Sequence, residues 1–152
     1  MTAGLVIRRE DPREARALLE ASHAMMLELF TPESNHFLSL EALAAPDITF
    51  FVARLDGNMV GCGALAIRDG YGEIKSMFVD PDTRRTGVAA GLMGRLEAEA
   101  MARGLEMLRL ETGNLLHAAQ ALYLRNGFSE CGPFGSYSAH PHSVFMEKRL
   151  AP

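Results

Sequence analysis

The sequence predicts a mixed α/β domain, and three observations carry that expectation. The chain has 152 residues, 48% of them hydrophobic and 22% charged, enough apolar chain for one core of ordinary domain size. Three runs rich in β-branched, aromatic and aliphatic residues, Ile48 to Leu55, Met59 to Arg68 and Glu73 to Val79, follow one another with only short turns between them. Glu73 to Arg109 then reads strand, loop, helix, strand, a crossover long enough for parallel pairing.

Taken in order, Leu5 to Arg8 reads as a short strand. Asp11-Pro12-Arg13-Glu14 offers an N-cap Asp, a Pro at the first helical position and a Glu at the third, so a helix starts there. Ala15, Leu18, Leu19, Ser22, Met25, Met26 and Leu29 recur at spacings of three and four and form its core stripe, which runs until Thr31-Pro32. The Met-rich face reads as core packing. Ser39 caps a short helix through Leu43, ended by Pro46. Asp56-Gly57-Asn58 has hairpin chemistry and pairs the next two strands antiparallel; Asp69-Gly70-Tyr71-Gly72 turns into the third, which stops at Asp80-Pro81. Val88, Leu92, Leu96 and Ala100 mark one face of a helix that Gly104 ends in a left-handed turn. Met107 to Thr112 is a strand, His117 to Asn126 a helix ended by Gly127, and Phe128 to Cys131 and Val144 to Leu150 two final strands. No linker, charge block, low-complexity tract or repeat divides the chain, so residues 1–152 are expected to form one domain.

Composition narrows the function classes. Fifteen Lys and Arg against 19 Asp and Glu give a net charge of −4, without the basic excess that draws a domain to nucleic acid or anionic lipid. Cys62 and Cys131 are too few for a disulfide framework and sit in no CxxC, which reads as free thiols in a reducing compartment. With no apolar run near the ~18 residues of a membrane helix, the expected address is the cytoplasm.

The stretch with chemical content is Val79-Asp80-Pro81-Asp82-Thr83-Arg84-Arg85-Thr86-Gly87-Val88-Ala89-Ala90: a strand end, a polar loop with two arginines, then small residues opening a helix. The first turn of a helix has N–H groups without intrahelical partners and the positive end of the helix dipole, which suits a phosphate or pyrophosphate. Gly87 and Ala89 leave room for ligand oxygens to reach the backbone, while Arg84 or Arg85 adds charge-assisted bonds. An ordinary helix start with two solvated arginines is the alternative. No P-loop GxxxxGK[ST] occurs. Gly61-Cys62-Gly63-Ala64-Leu65-Ala66 fits the loose GxGxxA but opens no helix, so its glycines read as a bulge or close backbone approach within a strand. His140-Pro141-His142 lacks carboxylate or thiol partners and reads as surface loop rather than metal site, and Cys62 reads as a buried structural thiol.

Arg84, Gly87 and Ala89 after a strand and a Val-x-Pro match the cofactor motif Arg/Gln-x-x-Gly-x-Gly/Ala, and here the sequence resembles the GCN5-related N-acetyltransferase superfamily, in particular its bacterial acetyltransferases without a settled substrate. Glu73 to Val79 looks like the family's fourth strand, Leu108 to Thr112 its fifth, and Ala121-Leu122-Tyr123-Leu124-Arg125-Asn126-Gly127-Phe128 the helix and turn that follow. The resemblance covers about Ile48 to Leu150; the first third follows the family in layout alone. It implies a mostly antiparallel sheet of six to seven strands with a central, splayed parallel pair, flanked by about four helices. It also implies acetyl-CoA in the splay, with its pyrophosphate on Arg84, Arg85, Thr86, Gly87, Val88, Ala89 and Ala90. The backbone of Met77, Phe78 and Val79 would pair with the pantetheine arm like an added strand, one N–H would hold the thioester oxygen, and the Asn114 amide would bind the arm. Gly113-Asn114 read by itself is simply a turn.

An amine must lose its proton before it attacks a thioester, since an alkylammonium has a pKa of ~10.4. By resemblance Glu73, at the start of the fourth strand, is the general base, directly or through water, and Tyr123 protonates the departing sulfur; a strand-end carboxylate and a packing Tyr are the structural alternatives. The acceptor, a primary amine of a small molecule or peptide, is bounded by Thr31-Pro32-Glu33-Ser34-Asn35-His36-Phe37 and Gly132-Pro133-Phe134-Gly135-Ser136-Tyr137. There Glu33 would meet the amine and Phe134 or Tyr137 would cover it; ordinary loop composition is the alternative reading of the same residues. A homodimer is a family-level expectation, no metal is called for, and the rival reading is a noncatalytic acyl-CoA-binding or sensor module.

Overall fold

In a computed structural model of the chain, residues 4–30, 38–83 and 87–150 are described. Among the described residues seven strands form one sheet in the order β1-β2-β3-β4-β5-β7-β6: β1 Leu5–Arg9, β2 Ile48–Leu55, β3 Asn58–Ile67, β4 Gly72–Val79, β5 Met107–Gly113, β6 Ser129–Cys131 and β7 Ser143–Arg149. All neighbours pair antiparallel except β4 and β5, which run parallel. The helices are α1 Arg16–Leu29, α2 Leu40–Leu43, α3 Val88–Ala102 and α4 His117–Arg125. The expected order and class are therefore met.

Local chemistry explains most boundaries. Asp56 and Gly57, at φ 51° and 87°, make the two-residue turn between β2 and β3 that only residues tolerant of positive φ adopt readily. The Ser39 hydroxyl accepts from the Ala42 N–H at 3.1 Å and caps α2. One boundary departs from expectation. The Asp11 carboxylate does accept from the Arg13 N–H at 2.9 Å, but Pro12–Ala15 forms a 3₁₀ turn and α1 begins only at Arg16. The expected stripe on α1 is also narrower: Ala15, Leu19 and Ser22 are buried, whereas Leu29 is exposed because the helix ends there and the chain leaves in extended form at Phe30.

Alternation along the strands builds two cores. Phe51, Ala53, Leu65, Ile74 and Leu110 face α3, which contributes Val88, Leu92, Met93, Leu96 and Ala100. Phe50, Val52, Cys62, Ala64 and Ala66 face the other way, against Ala15, Leu19 and Leu43. Gly61 and Gly63 lie inside β3, and a Cβ on Gly61 would press on Val88 and Leu92 at 3.1 Å, so this motif is a close helix-on-strand approach and no nucleotide fingerprint.

Strand β4 breaks the alternation. Ile74 and Phe78, four residues apart, belong to opposite cores. Between the pairs Cys62↔Phe78 and Ala64↔Lys75, β3 spends one residue and β4 spends two, and Ser76 takes φ 52°. This β-bulge turns the second half of β4 over.

Candidate active site

The parallel pairing of β4 with β5 has three steps, Gly72↔Leu108, Glu73↔Arg109 and Ile74↔Leu110, and then stops. Past that point the strands part, leaving the β5-facing edge of Lys75 to Val79 without a strand among the described residues. A cleft opens in the split, with walls of Ile74, Lys75, Ser76 and Met77 from β4, Glu111, Thr112 and Gly113 from β5, Ser22, Met26 and Phe30 from the α1 side, and Leu116, Ala119, Tyr123 and His142. Met26 thus lies on the cleft, whereas Met25 packs against the second core as its helical face predicts.

At the outer end of β4, α3 starts at Gly87, whose φ of 85° is the left-handed conformation that glycine takes without a Cβ clash. Gly87, at the N-cap position, has no side chain to cap the helix, and the first-turn N–H groups have no partner within the helix itself. Val88 is buried in the core, Ala89 is half-buried and Ala90 exposed. Arg84, Arg85 and Thr86 lie outside the described residues, as does 31–37, with Glu33.

Among the described residues, two buried polar atoms near the split have no hydrogen-bond partner, Asn114 Oδ1 and Ser76 Oγ. Asn114 follows β5 directly and its N–H donates to the His142 carbonyl at 3.0 Å. An orphaned carbonyl oxygen there, a strand edge open among the described residues and a helix that starts at a glycine are the features that an extended, amide-containing arm ending in a pyrophosphate would satisfy. The residues present fit such a ligand.

Glu73 is 3% exposed rather than a solvated strand end. Its Oε2 accepts from the Tyr137 hydroxyl at 2.5 Å, Arg68 Nε donates to Oε1 at 3.2 Å, and Lys75 Nζ stands 3.5 Å from Oε2. Lys75 Nζ in turn donates to the Tyr137 oxygen at 2.7 Å. Glu73 does not line the cleft; Lys75, on the same face, does. Burial and the hydrogen bond to Glu73 push the Tyr137 hydroxyl well above the usual phenol range, which keeps it a donor.

Tyr123 is buried, lines the cleft from α4 and stacks at a tilt on Phe128, centroids 5.8 Å apart. Burial alone pushes its hydroxyl upward, so it holds its proton through the neutral range. Phe134 needs correction: it is 8% exposed and packs edge-on against Tyr71 and Phe145 in an aromatic cluster, which removes it from covering an acceptor. Tyr137 borders the same cluster and reaches Glu73.

Sequence reasoning missed Lys75, Glu111 and His142. Glu111 Oε2 accepts from Ser143 Oγ at 2.6 Å, and the His142 ring rests on Phe30 at 5.5 Å. Strand alternation from Glu73 could have found Lys75, but not the point where β4 and β5 part. Cys62 is fully buried with its thiol pushed up to about 12 by burial, the inert structural thiol expected. Among the described residues no group of three or more His, Cys, Asp or Glu is placed to hold a metal ion, and no helix is long and apolar enough to cross a membrane.

Comparison with known proteins agrees with this geometry. Residues 15–128 match the model of the acetyltransferase (GNAT) family. The IAA acetyltransferase of Azospirillum brasilense is 47% identical over 150 residues, covering 96% of this chain and 98% of that protein. A Klebsiella pneumoniae structure assigned by name to the acyl-CoA N-acyltransferases superposes with a TM-score of 0.81 at 36% identity, over 97% and 98% of the two chains. The PaiA N-acetyltransferase of Thermoplasma acidophilum, solved in complex with coenzyme A, shares the fold at a TM-score of 0.71 and 18% identity, over 95% and 98% of the chains. The family match reaches back over α1, beyond the stretch in which the sequence alone carried the resemblance. With a family model spanning most of its length and a close relative aligned almost end to end, the chain belongs to the GNAT family of acetyltransferases.

Proposed function

We propose that this protein transfers the acetyl group of acetyl-CoA to a primary amine of a small molecule or peptide, by direct attack and as one domain. The observation that carries the reading is the parting of β4 from β5 after Ile74↔Leu110, with α3 beginning at the left-handed Gly87 in the stretch that follows β4. Acetyl-CoA, when bound, supplies an activated thioester. The exposed backbone edge of Met77, Phe78 and Val79 pairs with its pantetheine arm, Asn114 Oδ1 accepts from an arm amide, and the loop Arg84 to Ala90 holds the pyrophosphate.

Glu73 serves as the proton acceptor at one remove. The Tyr137 hydroxyl already donates to Oε2; it passes that proton to the carboxylate while taking one from a water that has received the substrate ammonium's proton, which leaves the amine neutral for attack. Tyr123, proton-bearing and on the cleft wall, serves as the acid for the leaving sulfur. The test is release of CoA with acetyl-CoA and a panel of polyamines, amino acids, aminoglycosides and peptide amines. Acetyl-CoA binding with no acetylated product from any amine would favour the acyl-CoA-binding module instead.

A further inference from the structure

The cleft wall carries two opposite charges on one face. Lys75 and Glu111 are the residues that follow the last parallel pair, Ile74↔Leu110, so they stand one on each lip of the split and face the same side of the sheet. Lys75 is 8% exposed. Its short bond goes to the neutral Tyr137 hydroxyl at 2.7 Å, and the carboxylate of Glu73 at 3.5 Å also accepts from Arg68 and from Tyr137. Glu111 is held by Ser143 Oγ at 2.6 Å.

For an acceptor that is only a cation, Lys75 has the wrong sign. A buried ammonium on the lip of the cleft repels an incoming ammonium, and low local dielectric strengthens that repulsion. An acid group on the acceptor turns the same residue into an attraction, while Glu111 on the other lip suits the amine. Met26 and Phe30 add an apolar wall.

We propose that the acceptor is an amino acid with an apolar side chain, its ammonium group toward Glu111, its carboxylate toward Lys75 and its side chain against Met26 and Phe30. This assignment rests on the acetyl-transfer reading above.

The experiment compares leucine, methionine and phenylalanine with their amides and their decarboxylated amines, by CoA release and by calorimetric binding in the presence of CoA. One charge-assisted hydrogen bond corresponds to roughly 10- to 100-fold, so each free acid is expected to exceed its amide by about that factor in kcat/KM or in affinity. Lys75→Met should bring the acid-to-amide ratio of kcat/KM down toward one, chiefly through KM for the acids and whatever its effect on the turnover the two share, and Lys75→Arg should keep the ratio. Amides or amines that bind and react as well as the acids overturn the proposal and leave acetyl transfer intact. So does a Lys75→Met variant that keeps the wild-type ratio of acid to amide. Acetyl-CoA binding with no measurable binding of any amino acid also overturns it, and failure of acetyl-CoA itself to bind removes the acetyl-transfer reading first. If Lys75→Met does not fold, the wild-type comparison and Lys75→Arg decide.

Discussion

Replacing Gly87 by Val tests the pyrophosphate end of the cleft, because the substitution has two separable effects. Gly87 has φ 85°, and a side chain in the left-handed region costs roughly 1 to 2 kcal/mol. In a domain of this size each kcal/mol moves Tm by about 2 to 4 °C, so the unliganded variant should melt about 2 to 8 °C below wild type. The second effect is on binding. Acetyl-CoA at a hundred times its dissociation constant should stabilise wild type by ~2.7 kcal/mol, a rise of about 5 to 11 °C, and a branched side chain at the helix start should abolish most of that rise. Gly104→Val is the control. It sits past the other end of the same helix at φ 76° with open space around its Cβ position, about 22 Å away along 15 residues. It should lose a similar amount of intrinsic stability and keep the full acetyl-CoA shift. Thermal unfolding of the three proteins with and without acetyl-CoA reads both effects. A folded Gly87→Val protein with the wild-type ligand shift would refute the placement of the pyrophosphate.

Other outcomes follow from the same geometry. Glu73→Gln should lower turnover by ~10² to 10⁴-fold, most at neutral and lower pH, with acetyl-CoA affinity nearly intact; an unchanged pH–rate profile would remove Glu73 from the proton path. Tyr123→Phe keeps the ring against Phe128, so a moderate fall in kcat at unchanged stability isolates the hydroxyl, and wild-type turnover under chemistry-limited conditions would make Tyr123 a packing residue. In alkylation at pH 8 the half-buried Cys131 should label before unfolding and Cys62 only with it, since burial holds the Cys62 thiol near 12; early labelling of Cys62 would contradict its burial. The Arg54 guanidinium, bonded at 2.9 Å, holds Glu10 below the usual carboxylate range. That pair adds stability above the unfolded pKa near 4.5 and loses it as pH falls through the lower folded value, so Glu10→Gln should flatten the acid limb of the stability curve.

What could be read ahead of the structure was whatever short-range chemistry determines. Asp56-Gly57, Ser39, Gly87 and Gly104 each announce a turn or cap through their own backbone preference, and the Val88, Leu92, Leu96, Ala100 stripe needs only helical period. Of the proposed site, the parts that follow the chain, Met77 to Ala90, Asn114 and Tyr123, are the ones that sequence alone could propose. The rest depends on events with no local signature. The bulge at Ser76 decides which face the second half of β4 presents, and the end of pairing after Ile74 makes Lys75 and Glu111 cleft residues. Glu73 looks like an exposed strand end in sequence because its partners Arg68 and Tyr137 arrive from a neighbouring turn and from a loop 64 residues away. Phe134 falls in the same class, since the aromatic cluster that buries it joins three separate segments.

The account stands on acetyl-CoA lying in the split between β4 and β5, and amide hydrogen exchange with and without saturating acetyl-CoA tests that placement most directly. The predicted result is slowed exchange in Met77 to Val79 and in the stretch Arg84 to Ala90, with β1 and β2 on the far side of the sheet unchanged. Binding that leaves Met77 to Val79 and Arg84 to Ala90 exchanging at their unliganded rates would contradict it.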